Sequence, residues 1–447
     1  MKRKIVRSAL GVVTLGICLS SAQPVSADAV VHWNNVASTA IGTATAGGRP
    51  GPATSLDFAK VHAAVHDAVQ AIVKRYKPYY RDIPGASGSP DAATAKAAHD
   101  VLVHLFPAQA ASLDAAYDAF FAANHLAVDD PGVLVGQQAA AGIINLRLND
   151  GSFPASFPPF IGGTGVGEWR PTPSFLPGPP PSGAPMLAPW LATVVPFTLA
   201  FPSQFRAEQP PMLTSREYTR DFNEVKAFGS FSSAVRSAEQ TDLAYFYSEN
   251  FFLQWNRALR AIADAHITNI GDSAKLFALA NLATADAVIT AWDSKKHYNF
   301  WRPVTAIPEG DHDGNSRTKG DASWQPLINT PNYPDYTSGA NAVTGAMTKS
   351  LALFFGTDRM TFDVTSNAPL AVKKTRTYHR FSDAARDVVN ARIYLGIHFR
   401  SADTAARSQG RRVARWAFRH VQRPIDADDD DDDDDDDHHH GHHGHRR

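Results

Sequence analysis

The stretch "SLDFAKVHAAVHDAVQAIVKRY" (55–76) sets the fold class. Its apolar residues Val61, Val65, Ala68, Val69, Ile72 and Val73 recur at three- and four-residue steps, the period of an α-helix, and Thr54 or Ser55 can cap its start. The same periodicity predicts helix over roughly 91–124, 133–148, 215–228, 233–267, 271–298, 338–355 and 382–420. Strand-like alternation is nearly absent. Among the helical stretches lies "SFPASFPPFIGGTGVGEWRPTPSFLPGPPPSGAPMLAPW" (152–190), where proline density forbids regular helix and predicts a long surface loop. Its Trp169, Phe175, Leu187 and Trp190 imply packing against the body. No fixed-period repeat occurs, which argues against a solenoid. The chain therefore reads as an all-α helical bundle with a long Pro/Gly-rich crossover segment.

Both ends read as separate from this body. Lys2, Arg3, Lys4 and Arg7 precede an apolar run, Ala9–Leu19, and Val25-Ser26-Ala27 offers small residues for cleavage. Residues 1–27 thus have the pattern of a signal peptide, with export expected and Asp28 as the first mature residue. The single cysteine, Cys18, falls inside that segment, leaving the mature chain without thiol, disulfide or cysteine metal ligand. No later apolar run looks long and uninterrupted enough for a transmembrane helix. At the other end, ten consecutive aspartates (428–437) run into "HHHGHHGHRR"; such a segment has nothing to bury and is expected to be disordered. Its aspartates and histidines could hold divalent metals weakly, but a solvated tail is the simpler account. Without the ends, the net charge of −1 becomes a surplus of about four positive charges, too small to argue for nucleic acid. Residues 28–425 are long enough for one large domain or two packed halves.

Three polar constellations carry chemistry, all within 290–403. In "WDSKKHYNFWRP", Lys295 and Arg302 are seven residues apart, nearly one helix face, although Pro303 places Arg302 at the helix end. In "PDYTSGAN" (334–341), Thr337 or Ser338 reads as an N-cap, leaving the amides of Gly339 and Ala340 among the unpaired N–H groups of a first turn. Those amides, the helix dipole and the Ser338 hydroxyl favour an oxyanion. In "NARIYLGIHFR", Arg392 and His398 are six apart and share a site only if the chain bends at Gly396. Each piece alone has a plainer reading: a solvated cation pair, an ordinary cap, a hydrogen-bonded core histidine.

In this order and spacing the three pieces resemble the signature of the vanadium-dependent haloperoxidases and their relatives, the type-2 phosphatidic acid phosphatases and bacterial acid phosphatases. The family pattern is K-x6-R-P, then P-S-G-H, then S-R-x3-G-x-H. "FAKVHAAVHDAVQAI", "GEWRPTP", "ALANLATADAVITAWDSKKHYNFWRPVTAI" and "YPDYTSGA" extend the likeness over roughly residues 30–420. The resemblance implies that Lys295, Arg302 and Arg392 neutralise the oxygens of vanadate or phosphate, guanidinium forks pairing two oxygens and the ammonium acting as a point charge. It implies that Ser338 and the Gly339 amide add hydrogen bonds. It implies that His398 is the apical histidine, which ligates vanadium in the peroxidases and attacks phosphorus in the phosphatases. The catalytic residues by this likeness are His398 and Lys295, the metal ligand His398 and the cofactor vanadate. The partners are hydrogen peroxide, halide and a small organic substrate.

The departures are specific. Thr337 stands where the family has proline, Ala391 where it has serine, and Ala340 where it has its acid–base histidine. General acid–base catalysis contributes about 10²–10⁴-fold, so its loss bears hardest on leaving-group chemistry. His297 and His379 are the nearby histidines that could compensate, although surface or core packing is their default; Asn341 can donate a hydrogen bond but cannot shuttle a proton. Asp403 lies one residue beyond the usual aspartate after the apical histidine. Elsewhere, "DHDGNSRTKGD" (311–321) lacks the ligand order of an EF-hand and reads as a connector, and His62 and His66 read as packed within the bundle. Three readings follow: a haloperoxidase, a phosphatase acting through a phosphohistidine, and an oxyanion-binding relative with impaired catalysis.

Overall fold

The computed structural model describes residues 28–425, so the signal-peptide and Asp/His-tail expectations lie outside the described residues. The first half contains α1 (Ala29–Ala46), α2 (Thr54–Val73), α3 (Pro90–Leu105), α4 (Ala110–Ala123) and α5 (Pro131–Leu146). After the crossover come α6 (Arg216–Phe228), α7 (Ala238–Phe246), α8 (Phe251–His266), α9 (Ile270–Tyr298), α10 (Pro303–Ala306) and α11 (Gly339–Phe354). A small antiparallel hairpin, β1 (Arg359–Thr365) and β2 (Thr375–Arg380), precedes α12 (Phe381–Tyr394) and α13 (Arg400–His420). The protein is all-α apart from that hairpin.

Several boundaries differ from the sequence reading for local reasons. The stretch 91–124 is two helices because Pro107 follows Phe106, and 233–267 divides between Tyr247 and Asn250, whose side chain caps α8 through Phe252 N and Leu253 N. The stretch 382–420 divides at Gly396, whose φ of +77° is left-handed backbone. Helix α1 was not anticipated, nor was the hairpin, whose short strands bury only alternate residues such as Phe362, Val364 and Tyr378.

Helix α9 is the centre of the molecule, packed against α2, α11 and α13. Contrary to expectation, it is long and apolar enough to cross a membrane, yet that window is wholly buried in protein, so core packing accounts for its composition. The crossover is tied to this core. The buried Asp286 of α9 accepts from Phe197 N and Thr198 N, while Trp169, fully buried, donates its amide to Asn299 O. Trp190 is buried as predicted, Leu187 packs partly buried against the core, and Phe175 is exposed. The 311–321 segment is a connector in which Asp313 accepts from Asn315 N and the Thr318 hydroxyl.

Helix α2 is buried on both faces, and its polar residues are partnered inside the core. His62 Nε2 lies 2.8 Å from Asn34 Nδ2, and His66 Nε2 lies 3.1 Å from Lys77 O. Burial lowers the pKa of His62 to about 3, with Arg260 adding to the shift, and that of His66 to about 4. Both are therefore neutral in the fold. As pH falls below 6.5 the unfolded chain takes up protons that the folded chain refuses, at about 1.4 kcal/mol per pH unit for each histidine. Asp67, raised to about 7 by burial, has the opposite slope, stabilising the fold as pH drops below 7. The contribution of His62 is therefore read by difference. A His62→Gln variant is less stable than wild type at pH 7, and urea titrations at pH 7 and pH 5 will show that gap narrowing by about 2 kcal/mol.

Candidate active site

Lys295 sits in the last turn of α9, fully buried. The helix ends at Tyr298, and Asn299, at φ 47°, turns the chain out of it. Arg302 is therefore past the helix in extended backbone, not two turns along one face as spacing alone suggests, and its approach is set by the turn. The crossover fixes that turn: Trp301 N donates to Gly167 O, and Glu168 bridges Phe300. This gives "GEWRP" a structural purpose, since it pins the segment carrying Arg302.

The wall opposite is the start of α11. Ser338 is the N-cap residue, but its side chain makes no capping bond, contrary to one role foreseen for it. Its hydroxyl turns toward Asp403, and Asn341 Nδ2 donates to Asp403 Oδ1 at 2.7 Å. The first-turn amides, including those of Gly339 and Ala340, are thus left uncapped toward the site. Gly339 is required by packing, because a Cβ there would meet the Trp292 ring at 2.9 Å.

Arg392 projects from α12 and His398 from the α12–α13 loop. The bend required to bring them together occurs at Gly396, whose added Cβ would lie 2.3 Å from Gly229 O. His398 Nδ1 lies 2.7 Å from Asp335 Oδ1, and the Arg302 Nη1 atom straddles the ring, 3.2 Å from Nδ1 and 3.0 Å from Nε2. Arg302 also donates from Nε to Tyr333 O (2.8 Å) and from Nη1 to Ile397 O (2.5 Å). Lys295 Nζ donates to Pro334 O (2.5 Å) and Asp335 O (3.1 Å). Arg392 donates to Tyr247 O and lies 5.0 Å over the Phe251 ring. The structure thus brings Lys295, Arg302, Arg392, His398 and the Ser338-Gly339 turn together, with Gly339, Arg392 and His398 reaching the wall of one cavity.

Sequence reasoning missed Asp335. It left the partner of His398 open, with Asp403 one residue off the usual place; Asp403 in fact holds Asn341 and Ser338, while Asp335 meets the imidazole. Asp335 lies inside the quoted "PDYTSGAN", and a carboxylate three residues before Ser338 was the available signal. His297 and His379 do not reach the site: both are exposed, His297 against Tyr298 and His379 beside Thr361 on the hairpin.

The electrostatics are those of a site waiting for an anion. Burial lowers the Lys295 pKa well below its usual value, with Arg302 adding to the shift, and lowers that of Arg392 to about 10. Burial and then Arg302 push His398 far down, which keeps the imidazole neutral; with its proton on Nδ1 toward Asp335, Nε2 carries the lone pair, and Arg302 Nη1 lies within hydrogen-bond distance of it. Burial raises Asp335 to about 8 and Asp403 to about 7, against the pull of the neighbouring cations for Asp335 and of Ser338 for Asp403. Arg302 Nη2 and Arg392 Nε are buried N–H groups without a protein acceptor. Unpaired buried donors of this kind are costly unless a ligand satisfies them. Among the described residues no cluster of three or more His, Cys, Asp or Glu could hold a bare cation. The donor set instead fits an oxyanion of tetrahedral class with one apical nitrogen, and vanadate fits it.

Above this cradle opens a cavity of about 420 Å³. Arg392, His398, Gly339 and Ala340 line it together with apolar groups such as Trp292 and Phe251. Ala340 therefore faces the same space as His398, and its methyl group leaves room where the family signature has an imidazole.

Comparison with known proteins agrees with this geometry. Residues 275–427 match the family model described as "VCPO second helical-bundle domain". A vanadium chloroperoxidase from Curvularia inaequalis is 28% identical over 191 residues, covering 33% of this chain and 30% of that protein's length. The crystal structure of the first bacterial vanadium-dependent iodoperoxidase superposes with a TM-score of 0.71 at 22% identity, covering 88% of this chain and 95% of that one. A holo-type bacterial vanadium-dependent chloroperoxidase does so with a TM-score of 0.67 at 18% identity, covering 83% and 91%. The fold is thus that of the bacterial vanadium-dependent haloperoxidases, and motif order and the matched residues 275–427 support the vanadium-haloperoxidase superfamily for the half of the chain that carries the site.

Proposed function

We propose that the protein is an exported haloperoxidase-type enzyme that binds vanadate through His398 and oxidises halide with hydrogen peroxide. The observation that carries this reading is the convergence of three buried cations and a neutral imidazole at the cavity floor. Lys295, Arg302 and Arg392 would hold the oxyanion's charge, and the Ser338 hydroxyl and the Gly339 amide would donate hydrogen bonds to its remaining lone pairs. His398 would offer Nε2, with Asp335 holding the ring in orientation. Bound there, vanadate would supply the centre at which peroxide is activated toward halide. Lys295 keeps one N–H beyond its two backbone bonds, enough to polarise a bound oxygen. With Ala340 in place of an acid–base group, easily oxidised halides should be favoured and turnover should be slow.

The test is the purified full chain with orthovanadate, hydrogen peroxide and bromide or iodide. Vanadate-dependent halogenation of an indicator dye is expected, and its absence at saturating vanadate would sink the proposal. The phosphatase alternative uses the same cradle, with His398 as nucleophile. It has weaker support, because Ala340 leaves no proton donor for a poor leaving group. Nitrophenyl phosphate hydrolysis that is lost in His398→Ala and blocked by vanadate would promote it.

A further inference from the structure

A second cavity, of about 360 Å³, lies away from the site between α11, α12 and α13. Its cations are Lys349, Arg386, Arg407 and Arg411, and Arg415 faces Lys349 beside it. Arg386 is paired with Asp383 at 3.1 Å. The cleft's other carboxylate, Asp358, is engaged by the Ser382 amide and hydroxyl. Lys349, Arg407, Arg411 and Arg415 form no salt bridge among the described residues. Their neighbours are one another: after burial, Arg415 and Arg411 depress Lys349, while Arg411 and Arg386 depress Arg407. Asp358 near Lys349 and Asp403 near Arg407 offset part of this, but cations still outnumber carboxylates in the concave site, and such a surplus marks an anion-binding surface.

We propose that the aspartate run of the chain's own C-terminal tail, Asp428–Asp437, docks in this cleft. Charge complementarity is the first argument, with ten carboxylates against a cleft whose cations outnumber its carboxylates. The second is where the tail starts. Pro424 bridges Tyr76 and Ile425 N donates to Arg75 O, so the chain is anchored to the body just after α13 ends at His420. From there Arg419, Arg415, Arg411 and Arg407 recur every four residues back along α13, the first three of them exposed, forming a basic stripe that leads into the cleft. Arg411 lies only ~14 Å back along the helix axis from His420. The residues from 426 to 437 can extend to about 40 Å, ample for that path. Tethering also gives the tail an effective concentration of about millimolar, an advantage over any free polyanion. Docking would cover a face that otherwise attracts anionic polymers.

Lys349 is the cleft's amine, so carbodiimide coupling of the full chain tests the contact directly. Mass spectrometry is expected to find an amide between Lys349 and an aspartate of 428–437. Its yield should fall at least about fivefold in about 0.5 M salt, where the screening length drops to a few ångströms. The same fall is expected in an Arg411→Glu, Arg415→Glu double variant, with Lys96–Asp100, 2.8 Å apart on α3, as the internal coupling control. No such amide while the control couples would overturn the proposal, as would a yield indifferent to the double variant. An amide joining labelled to unlabelled chains would assign the cleft to a second copy and overturn it too. Independently, replacing the ten aspartates by serine should strengthen binding of inorganic polyphosphate about tenfold at low salt. Equal binding by the two forms would show that the tail does not occupy the cleft.

Discussion

An Ala340→His variant will halogenate an indicator dye about 10²-fold or more faster than the parent chain at saturating vanadate and peroxide. Ala340 is the second residue of α11, directly after Gly339, and lines the cavity shared by Arg392 and His398. A side chain longer than methyl has room there, because the cavity is about 420 Å³ and the neighbouring contact that forbids a Cβ belongs to Gly339 instead. The added imidazole would stand at the edge of the cradle, where a proton must be moved to or from a bound oxygen. A positioned acid–base group is worth about 10²–10⁴-fold, and among the described residues no histidine besides His398 lines the cavity. Vanadate affinity should change much less, since the cations and His398 keep their places. A steady-state comparison that separates the two is therefore decisive: an unchanged rate at full occupancy would mean that position 340 does not face the reacting anion.

Much of the fold was legible because long helices leave a period in the chain. The central α9 and the buried α2 were read directly from spacing, and the family likeness carried the rest of the all-α architecture. What stayed hidden was decided by contacts distant in sequence. Helix α1 buries Trp33 and Ile41 yet shows no strong one-sided pattern, and the hairpin's strands are too short to announce themselves. Spacing brought Arg302 to notice but not its geometry, because its position depends on a left-handed Asn299 and on backbone bonds from "GEWRP", more than 130 residues earlier. The carboxylate partner of His398 stayed hidden for the same reason. No spacing rule tells that Asp335 rather than Asp403 reaches His398; that follows from how the loop before α11 folds over the end of α9. Helix α9 itself passes a membrane-span test by composition, and only its packing partners explain why.

Arg392→Ala should weaken vanadate binding about 10²-fold, measured by calorimetry on the purified full chain. In the fold Arg392 gives one donor, Nη1, to Tyr247 O and rests on Phe251, while its Nε has no acceptor and the side chain lines the cavity. A guanidinium so placed can give an oxyanion two charge-assisted hydrogen bonds, each worth about 1.5–3 kcal/mol, partly offset by the burial that already depresses it to about 10. Without an anion the site holds three buried cations against two buried carboxylates whose pKa values lie near or above neutrality. Removing one cation then relieves repulsion, so the anion-free variant is expected to melt close to wild type. With vanadate at 100 times the wild-type Kd, linkage stabilises wild type by about 2.7 kcal/mol, but a variant binding 100-fold more weakly by only about 0.4 kcal/mol. The signature is thus a lost response to vanadate rather than a lost fold. Arg392→Lys should fall between the two, since it keeps the charge and loses the fork. Wild type and Arg392→Ala binding vanadate equally would remove this arginine from the cradle, and with it one of the three charges on which the proposed chemistry rests.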